Sequence, residues 1–195
     1  MVSKPEEKEW VARARSGDEE AFRAIVRRYQ GEVYNLAGRI LRNREDAEDA
    51  AQDVFVRIYG ALHQYDPRYP FRNWVLRITH NLCIDCLRRK RVPTVSMDEP
   101  IRQKDGEMGW ELPDPDAPDP LEQVMRTEES RWIEEAIGSL GPTLRTAITL
   151  RHFHGLRYEE IAEILEVPLG TVKVRIFRAR AALAKILARR MGEET

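Results

Sequence analysis

Proline divides this chain into two parts. Six of its 11 prolines fall between residues 93 and 120, at Pro93, Pro100, Pro113, Pro115, Pro118 and Pro120. Proline lacks a backbone N–H and interrupts helices, and this stretch, which includes PDPDAPDP, shows little apolar periodicity. Such a segment cannot form a core of its own. The sequence therefore predicts a linker over residues 93–125, between one domain at residues 1–92 and a second at residues 126–195.

Both flanking regions have the apolar spacing of α-helices. Upstream, helices are predicted over about residues 19–40, with Asp18 as the N-cap, and over about 46–62 and 71–91. Downstream, they are predicted over about residues 133–140, 144–150, 158–165 and 170–190. No useful period-two strand pattern and no internal repeat is found. The predicted fold class is all-α, with two small helical domains joined by an acidic, proline-rich linker.

Composition excludes several classes of protein. No apolar run approaches the ~20 residues that a membrane-spanning helix needs, and the sequence MVSKPEEKEW lacks the apolar stretch of a secretory signal. The two cysteines are too few for a disulfide framework. We therefore expect a cytoplasmic protein without membrane insertion.

The distribution of charge is more informative than its total. The net charge of -1, from 32 basic and 33 acidic residues, gives no reason by itself to expect a polyanionic partner. Residues 68–92, however, carry a charge of +6, residues 169–191 carry +7, and the linker over residues 93–125 carries -7. Two basic helices on separate domains are typical of nucleic-acid binding.

The C-terminal segment YEEIAEILEVPLGTVKVRIFRARAAL has the pattern of a helix-turn-helix. Small Ala162 lets the two helices approach, and a shared core is predicted from Ile161, Leu165, Val172 and Ile176. The second helix of such a motif enters the major groove, where Arg or Lys donates to guanine and an apolar side chain contacts a thymine methyl. The candidate DNA-contacting residues on it are Thr171, Lys173, Val174, Arg175, Phe177, Arg178 and Arg180.

The N-terminal helix FRNWVLRITHNLCIDCLRRKR interleaves aromatic, amide and basic side chains. That combination suits unpaired DNA, because bases stack on aromatic rings and cations hold the backbone. The candidates here are Arg72, Asn73, Trp74, Arg77, Asn81, Arg88 and Arg89, although Trp74 can equally be a core residue. The preceding helix, DAEDAAQDVFVRIY, carries an acidic stripe of Asp46, Asp49 and Asp53 beside Phe55. An acidic face next to a basic helix favours docking on another protein.

Together these three segments resemble bacterial RNA polymerase sigma factors, in the small extracytoplasmic-function (ECF) group of the sigma-70 family, over about residues 10–190. The resemblance implies that the acidic helix docks on the clamp coiled coil of the polymerase largest subunit. The implied docking residues are Asp46, Asp49, Gln52, Asp53 and Phe55. The resemblance also implies three partners, namely core RNA polymerase, promoter DNA and an anti-sigma factor.

The same resemblance assigns the two basic helices to the two promoter elements. The N-terminal helix would melt and read the -10 element, with a flipped base captured by Tyr65, Ile78, Asn81 and Asp85. An aromatic wall and an amide suit a base that has left the stack. The helix-turn-helix would read the -35 element as duplex, with Lys173, Val174, Phe177 and Arg178 nearest the bases.

Three alternatives compete with this interpretation. His80, Cys83 and Cys86 suggest a metal or redox site, but on one helix His80 and Cys86 diverge by ~120° and no fourth ligand is evident. An enzyme lacks support, since there is no phosphate-binding glycine loop, HExxH or nucleophile elbow. We therefore expect no catalytic residue, metal, cofactor or small-molecule substrate. A stand-alone helix-turn-helix regulator would explain residues 140–190 but leave the acidic helix unused.

Overall fold

The computed structural model describes residues 4–91 and 131–191. Within these two ranges the chain forms eight α-helices and one short 3-10 helix, with no β-strand. The N-terminal bundle (residues 4–91) contains α1 (Lys4–Arg15), α2 (Glu19–Leu41), α3 (Arg44–Ala61), the 3-10 helix Leu62–Gln64 and α4 (Phe71–Arg91). The C-terminal bundle (residues 131–191) contains α5 (131–139), α6 (Pro142–His152), α7 (Tyr158–Leu165) and α8 (Leu169–Met191).

Side-chain caps set the starts of α2 and α3. The Asp18 carboxylate accepts a hydrogen bond from the Ala21 N–H at 3.1 Å, and the Asn43 side-chain oxygen accepts one from the Asp46 N–H at 2.9 Å. Between these two helices Arg42 adopts a left-handed conformation, with φ of 57°, and donates its N–H to the Gly38 carbonyl at 2.8 Å. This C-cap reverses the chain so that α3 packs back along α2.

Helix α2 is the centre of the N-terminal bundle, because α1, α3 and α4 all pack on it. Its buried face includes Ile25, Tyr29, Val33, Leu36 and Ile40, and α3 presents Ala47, Ala50, Val54 and Ile58 to the same core. The small alanines let the two helices approach closely. As a result, the opposite face of α3 points to solvent.

Helices α7 and α8 form the helix-turn-helix of the C-terminal bundle. Glu166 adopts a φ of 52° at the turn, and the Val167 N–H donates to the Ala162 carbonyl at 3.1 Å. The four residues predicted as the shared core of the motif are all buried in the structure. Helix α6 packs against both α7 and α8 and completes this core.

The all-α fold class predicted from the sequence is confirmed, and each predicted helix is present within a few residues of its expected bounds. Helix α1 was not predicted, because its only apolar signal is Trp10, Val11 and Ala14 within a strongly charged segment. The predicted linker over residues 93–125 lies outside the described residues. No helix in the described ranges is long and apolar enough to cross a membrane.

Candidate nucleic-acid interface

Helix α8 separates a core face from a solvent face. Val172, Ile176 and Ala179 point into the bundle and are buried. The intervening positions face solvent: Phe177 is 74% exposed and Val174 is 49% exposed, and Lys173, Arg178 and Arg180 are also exposed, while Thr171 and Arg175 are half-buried. Five of the seven residues predicted to contact -35 DNA therefore share one free basic and apolar face.

A groove of about 530 Å³ lies between the start of α6 and the first turns of α8. Thr143 and Leu144 form one wall, and Val174, Arg175 and Arg178 form the other. The groove is open to solvent at the end of α8 that enters DNA in helix-turn-helix proteins. Two arginines beside an apolar side chain can accommodate both phosphate oxygens and a thymine methyl.

The residues predicted to contact -10 DNA are less uniformly accessible on α4. Asn81, Arg88 and Arg89 are exposed, whereas Arg72, Trp74, Arg77, Ile78 and Asp85 are half-buried and Asn73 is buried. Asp85 lies 3.8 Å from the Arg88 guanidinium, measured from Oδ1 to Nη1. Only the C-terminal half of α4 presents its polar side chains freely.

Tyr65, Phe71 and Trp74 form one aromatic cluster in the N-terminal bundle. The Tyr65 ring meets Phe71 edge-on with the centroids 5.0 Å apart, and Trp74 lies 5.4 Å from Tyr65. Tyr65 is only 8% exposed, and its hydroxyl donates to the Tyr69 carbonyl at 2.6 Å. The structure thus brings together two of the predicted aromatic residues, with the Tyr65 ring forming part of the core.

The acidic stripe of α3 is on the solvent face. Asp49, Gln52 and Asp53 are exposed, Phe55 is half-buried, and the neighbouring Val56 is 73% exposed. Asp46 is half-buried and forms an ion pair with Lys90 of α4. This surface surrounds exposed apolar side chains with carboxylates, an arrangement that is found at sites where proteins bind one another.

The two bundles contact one another through α4 and α7 and through α2 and α6. Arg72 Nε donates to Glu32 Oε2 at 2.6 Å, and Arg72 Nη2 donates to the His154 carbonyl at 3.0 Å. His154 Nδ1 lies 3.8 Å from the same Glu32 oxygen. Burial opposes the ionisation of Glu32, but its contacts with His154 and Arg72, together with the charge of Arg28, outweigh burial and lower the pKa of Glu32 to about 2.

A second group of contacts joins α2 to the C-terminal bundle. Arg145 is buried, and its guanidinium donates to the carbonyl of Ile40 at 2.7 Å and to that of Gly138 at 2.8 Å. Burial and the charge of Arg42 lower the pKa of Arg145 to about 10. Arg39 Nη2 pairs with Glu134 Oε1 at 2.7 Å, and the Arg39 guanidinium carbon lies 3.9 Å from the Phe153 ring centroid.

The His80, Cys83 and Cys86 group does not converge. In residues 4–91 and 131–191 no three His, Cys, Asp or Glu side chains are placed to share a metal ion. Cys83 is buried, and burial and the nearby Cys86 raise the pKa of its thiol to about 12. Burial and the charge of Arg175 lower the pKa of His80 to about 4. Burial also raises the pKa of the half-buried Cys86 thiol, so both thiols are protonated at neutral pH.

The residues that join the bundles were not identified from the sequence. Glu32 and Arg39 lie on α2, Arg145 lies on α6, and His154 lies in the turn that follows α6. The apolar spacing of these segments predicts helices and no contact between bundles. Among these four residues, only Arg145 could have been suspected of a buried contact from the sequence, because it interrupts the apolar face of α6 in LRTAITL. A charged residue at a predicted core position indicates either an error in the helix face or a specific buried contact.

Known proteins resemble this chain across both bundles. Residues 25–92 match the family Sigma-70 region 2, and residues 130–183 match Sigma-70, region 4. The ECF RNA polymerase sigma factor SigW of Bacillus subtilis is 37% identical over 180 residues, covering 92% of this chain and 96% of the relative. The ECF RNA polymerase sigma-E factor of Escherichia coli is 39% identical over 176 residues, covering 89% of this chain and 90% of the relative.

Two solved structures have a similar fold. CnrH, in complex with the cytosolic domain of CnrY, aligns with a TM-score of 0.67 at 27% identity, covering 94% of this chain and 98% of that one. The sigma factor RpoE of Bartonella quintana, in complex with the anti-sigma factor NepR, shares the fold with a TM-score of 0.63 at 19% identity, covering 85% of this chain and 96% of that one.

A helix-turn-helix bundle with a free basic face, joined to a second helical bundle, is typical of a DNA-binding protein. Since relatives of more than a third identity match over most of their length, the chain belongs to the ECF group of the sigma-70 family of RNA polymerase sigma factors. It directs transcription from promoters, and the alternative of a stand-alone regulator is wrong because both sigma regions are present. The family predicted from the sequence is confirmed.

Proposed function

We propose that this sigma factor divides promoter recognition and polymerase docking among three helices. Helix α8 reads the -35 element as duplex, α4 captures the melted -10 strand, and α3 docks on core RNA polymerase. This assignment rests on one observation, which is that the exposed faces of α8 and α3 carry opposite charge. The free face of α8 is basic and apolar, whereas the free face of α3 is acidic and apolar.

The α8 assignment rests on which side chains can reach base edges. Lys173 and Arg178 are exposed donors of the kind that contact guanine, and Phe177 and Val174 are exposed apolar groups of the kind that contact a thymine methyl. Arg175 and Arg180 flank this set and are assigned to phosphates. Thr171 lies at the first turn of α8, beside the groove.

The α4 assignment rests on Asn81 above all. This amide is exposed in mid-helix, where it gains nothing for helix stability, and it lies one turn from the half-buried Ile78 and Asp85. These three side chains would line the site of a flipped base, with the edge of the Tyr65 and Trp74 cluster as its aromatic wall. Arg88 and Arg89 supply exposed cations for the strand that follows.

Docking on polymerase is assigned to Asp49, Gln52 and Asp53, with Asp46 and Phe55 at the edge of the same surface. We further infer that a protein inhibitor of the anti-sigma class binds this chain, as the anti-sigma factor NepR binds RpoE of Bartonella quintana. The chain is a cytoplasmic binding protein that has no catalytic activity of its own.

Asn81→Ala tests the α4 assignment in the reconstituted holoenzyme. We expect open-complex formation at a cognate promoter to fall by about tenfold, since each well-placed base contact contributes about 1–3 kcal/mol. Binding of the same holoenzyme to -35 duplex should stay unchanged, because Asn81 is not among the residues assigned to the -35 element. Permanganate reactivity of unpaired thymines measures open-complex formation, and a separate binding assay measures affinity for the -35 duplex.

Gln30→Ala provides the matched control, because Gln30 is an exposed amide in mid-helix on α2. It should leave both steps unchanged. An equal loss of melting and of -35 binding in Asn81→Ala would contradict the role assigned to this residue.

A further inference from the structure

Helix α1 lies against the segment that carries Tyr65. This connecting segment (residues 62–70) runs from the 3-10 helix to the start of α4, and α1 packs on both α2 and the 3-10 helix. The packing is apolar, because Val11 and Ala14 are buried and Trp10 packs against the same core. Helix α1 is therefore held beside one wall of the site assigned to the flipped base.

Arg15, the last residue of α1, contacts the backbone of the connecting segment. Its Nη2 donates to the His63 carbonyl at 3.3 Å. His63 lies two residues before Tyr65, whose N–H donates to the Leu62 carbonyl at 3.2 Å and closes the 3-10 turn. The Arg15 side chain is exposed and adds little to the core. Its contact therefore acts on the position of this turn rather than on burial.

Glu7, two turns earlier on α1, acts on the aromatic cluster. Its carboxylate accepts a hydrogen bond from the hydroxyl of Tyr29, which is buried. The Tyr29 ring meets Phe71 edge-on with the centroids 5.7 Å apart, and Phe71 in turn meets Tyr65 at 5.0 Å. Burial raises the pKa of Tyr65 and the charge of Glu7 raises it further, as expected of a carboxylate near the Tyr65 ring. Glu7 thus links α1 to Tyr65 through one hydrogen bond and two ring contacts.

The position of the Tyr65 ring matters because so little of it is accessible. Its hydroxyl is already bound to the Tyr69 carbonyl, and the residue is 8% exposed, so only an edge of the ring is available to a base. A small shift of the connecting segment changes how much of that edge stands opposite Asn81. Binding sites of this kind depend on the residues that hold the contacting side chains in place.

We propose that α1 is a positioning element for -10 recognition, in which Arg15 and Glu7 hold the connecting segment so that the edge of Tyr65 faces the flipped base. Neither side chain contacts DNA in this role. The inference rests on the proposed function, because it assumes that Tyr65 and Asn81 enclose that base. Loss of either anchor loosens the aromatic wall and reduces discrimination among bases at the captured position. Binding to -35 duplex and docking on polymerase are retained, because they use α8 and α3.

Arg15→Ala in the reconstituted holoenzyme tests this role. Open-complex formation is measured by permanganate reactivity on a cognate promoter and on promoters substituted at each -10 position in turn. We expect the preference for the cognate base to fall about threefold at one position, as for the loss of one hydrogen bond. That position should be the one at which Asn81→Ala acts. Affinity for -35 duplex should stay at the wild-type value, and Arg15→Lys, which keeps a donor, should restore most of the preference.

Arg13→Ala is the matched control on the same helix. Arg13 is also an exposed arginine of α1, but its ion pairs are with Glu9 and Asp18, outside the connecting segment. It should leave the base preference unchanged at every -10 position. Glu7→Ala removes the acceptor of the Tyr29 hydroxyl and should reproduce the loss seen in Arg15→Ala, whereas Glu7→Gln keeps an acceptor oxygen and should retain more of the preference.

Two results would overturn this inference. One is a base preference in Arg15→Ala that matches the Arg13→Ala control. The other is an equal loss of open complex on every promoter, which is the result of a general loss of stability and not of a displaced wall. Failure of the proposed function is recognised separately, since Asn81→Ala would then leave the base preference unchanged at every -10 position. The scan with Arg15→Ala would still decide whether α1 acts on -10 recognition.

Discussion

Helices α4 and α8 are similar in length and composition, but their side chains differ in accessibility. Each is 21 to 23 residues long, strongly basic and interleaved with aromatic or apolar side chains. On α8 the residues predicted to contact bases face solvent, and Phe177 is 74% exposed. On α4 the corresponding residues are divided, because Asn81, Arg88 and Arg89 are free while Arg72, Asn73 and Arg77 lie against the C-terminal bundle.

A sequence pattern typical of nucleic-acid binding does not by itself predict that the side chains are accessible to DNA. Both helices carry the charge that attracts DNA, and only their neighbours decide which cations are free. On α4 several cations already have carboxylate or carbonyl partners within the chain. Substitutions on these helices and at their contacts separate effects on stability from effects on DNA binding.

The largest effect is expected from Ile176→Ala, on the core face of α8. Ile176 is 1% exposed, so its truncation should lower the free energy of unfolding by about 2–5 kcal/mol. Its neighbour Phe177 is free, and Phe177→Ala should change stability by no more than about 0.5 kcal/mol while weakening -35 duplex binding. Urea unfolding followed by circular dichroism measures the stability of the two variants, and fluorescence anisotropy measures the binding of -35 duplex. Equal destabilisation by the two substitutions would show that Phe177 packs in the core.

Glu32→Gln removes the carboxylate that binds Arg72, and its effect depends on pH. The pKa of Glu32 is lowered from 4.5 to about 2 in the folded chain, so the folded state binds fewer protons between these values. Its contribution, at most about 3 kcal/mol, is complete above about pH 4.5 and is lost as the pH falls toward 2. Unfolding free energies of wild type and variant should therefore differ most near neutral pH.

The groups that face Glu32 are Arg28 of its own helix, Arg72 of α4 and His154 of the C-terminal bundle. The difference between wild type and Glu32→Gln should shrink steadily as the pH falls from about 4.5. A difference that stays constant down to pH 2 would mean that the Glu32 carboxylate does not stabilise the contact through its charge.

The smallest effect is expected from Val174→Ala on the free face of α8. Val174 is 49% exposed, so stability should change by less than about 0.5 kcal/mol. Loss of one apolar contact should weaken holoenzyme binding to -35 duplex by about threefold. Lys185→Ala, farther along the exposed surface of α8, is the control and should change duplex binding less. Fluorescence anisotropy at fixed salt concentration measures both, and an equal effect of the two substitutions would place Val174 outside the base-reading face.

Local pattern was sufficient to predict every α-helix of the described residues except α1. Asp18 as a cap, the apolar spacing of α2 and the break at Glu166–Pro168 each act within a few residues, and each is found in the structure. The exposed face of α8 was also predictable, because the apolar residues Val172 and Ile176 mark the other face of the helix as the core face. Helix α1 was missed because a short, charged helix owes its burial of Trp10 and Val11 to α2 rather than to its own pattern.

The accessibility of α4 could not be predicted from local pattern. Asn73 and Asn81 have the same side chain on the same helix, yet one is buried and the other exposed. Their difference depends on α7, which lies more than 60 residues away in sequence. Likewise nothing near Arg145 indicates that its guanidinium binds the Ile40 carbonyl of another bundle.

The sequence by itself determined the all-helical class, the caps, the helix-turn-helix and membership of the ECF sigma group, since each depends on residues close together or on motifs in a fixed order. The tertiary structure alone decided which of the charged side chains are free and which are already paired across the two bundles. The physical reason is that helix formation is governed by spacing along the chain. Ion pairing, hydrogen bonding and burial are governed by distance in space, which only the packed chain defines.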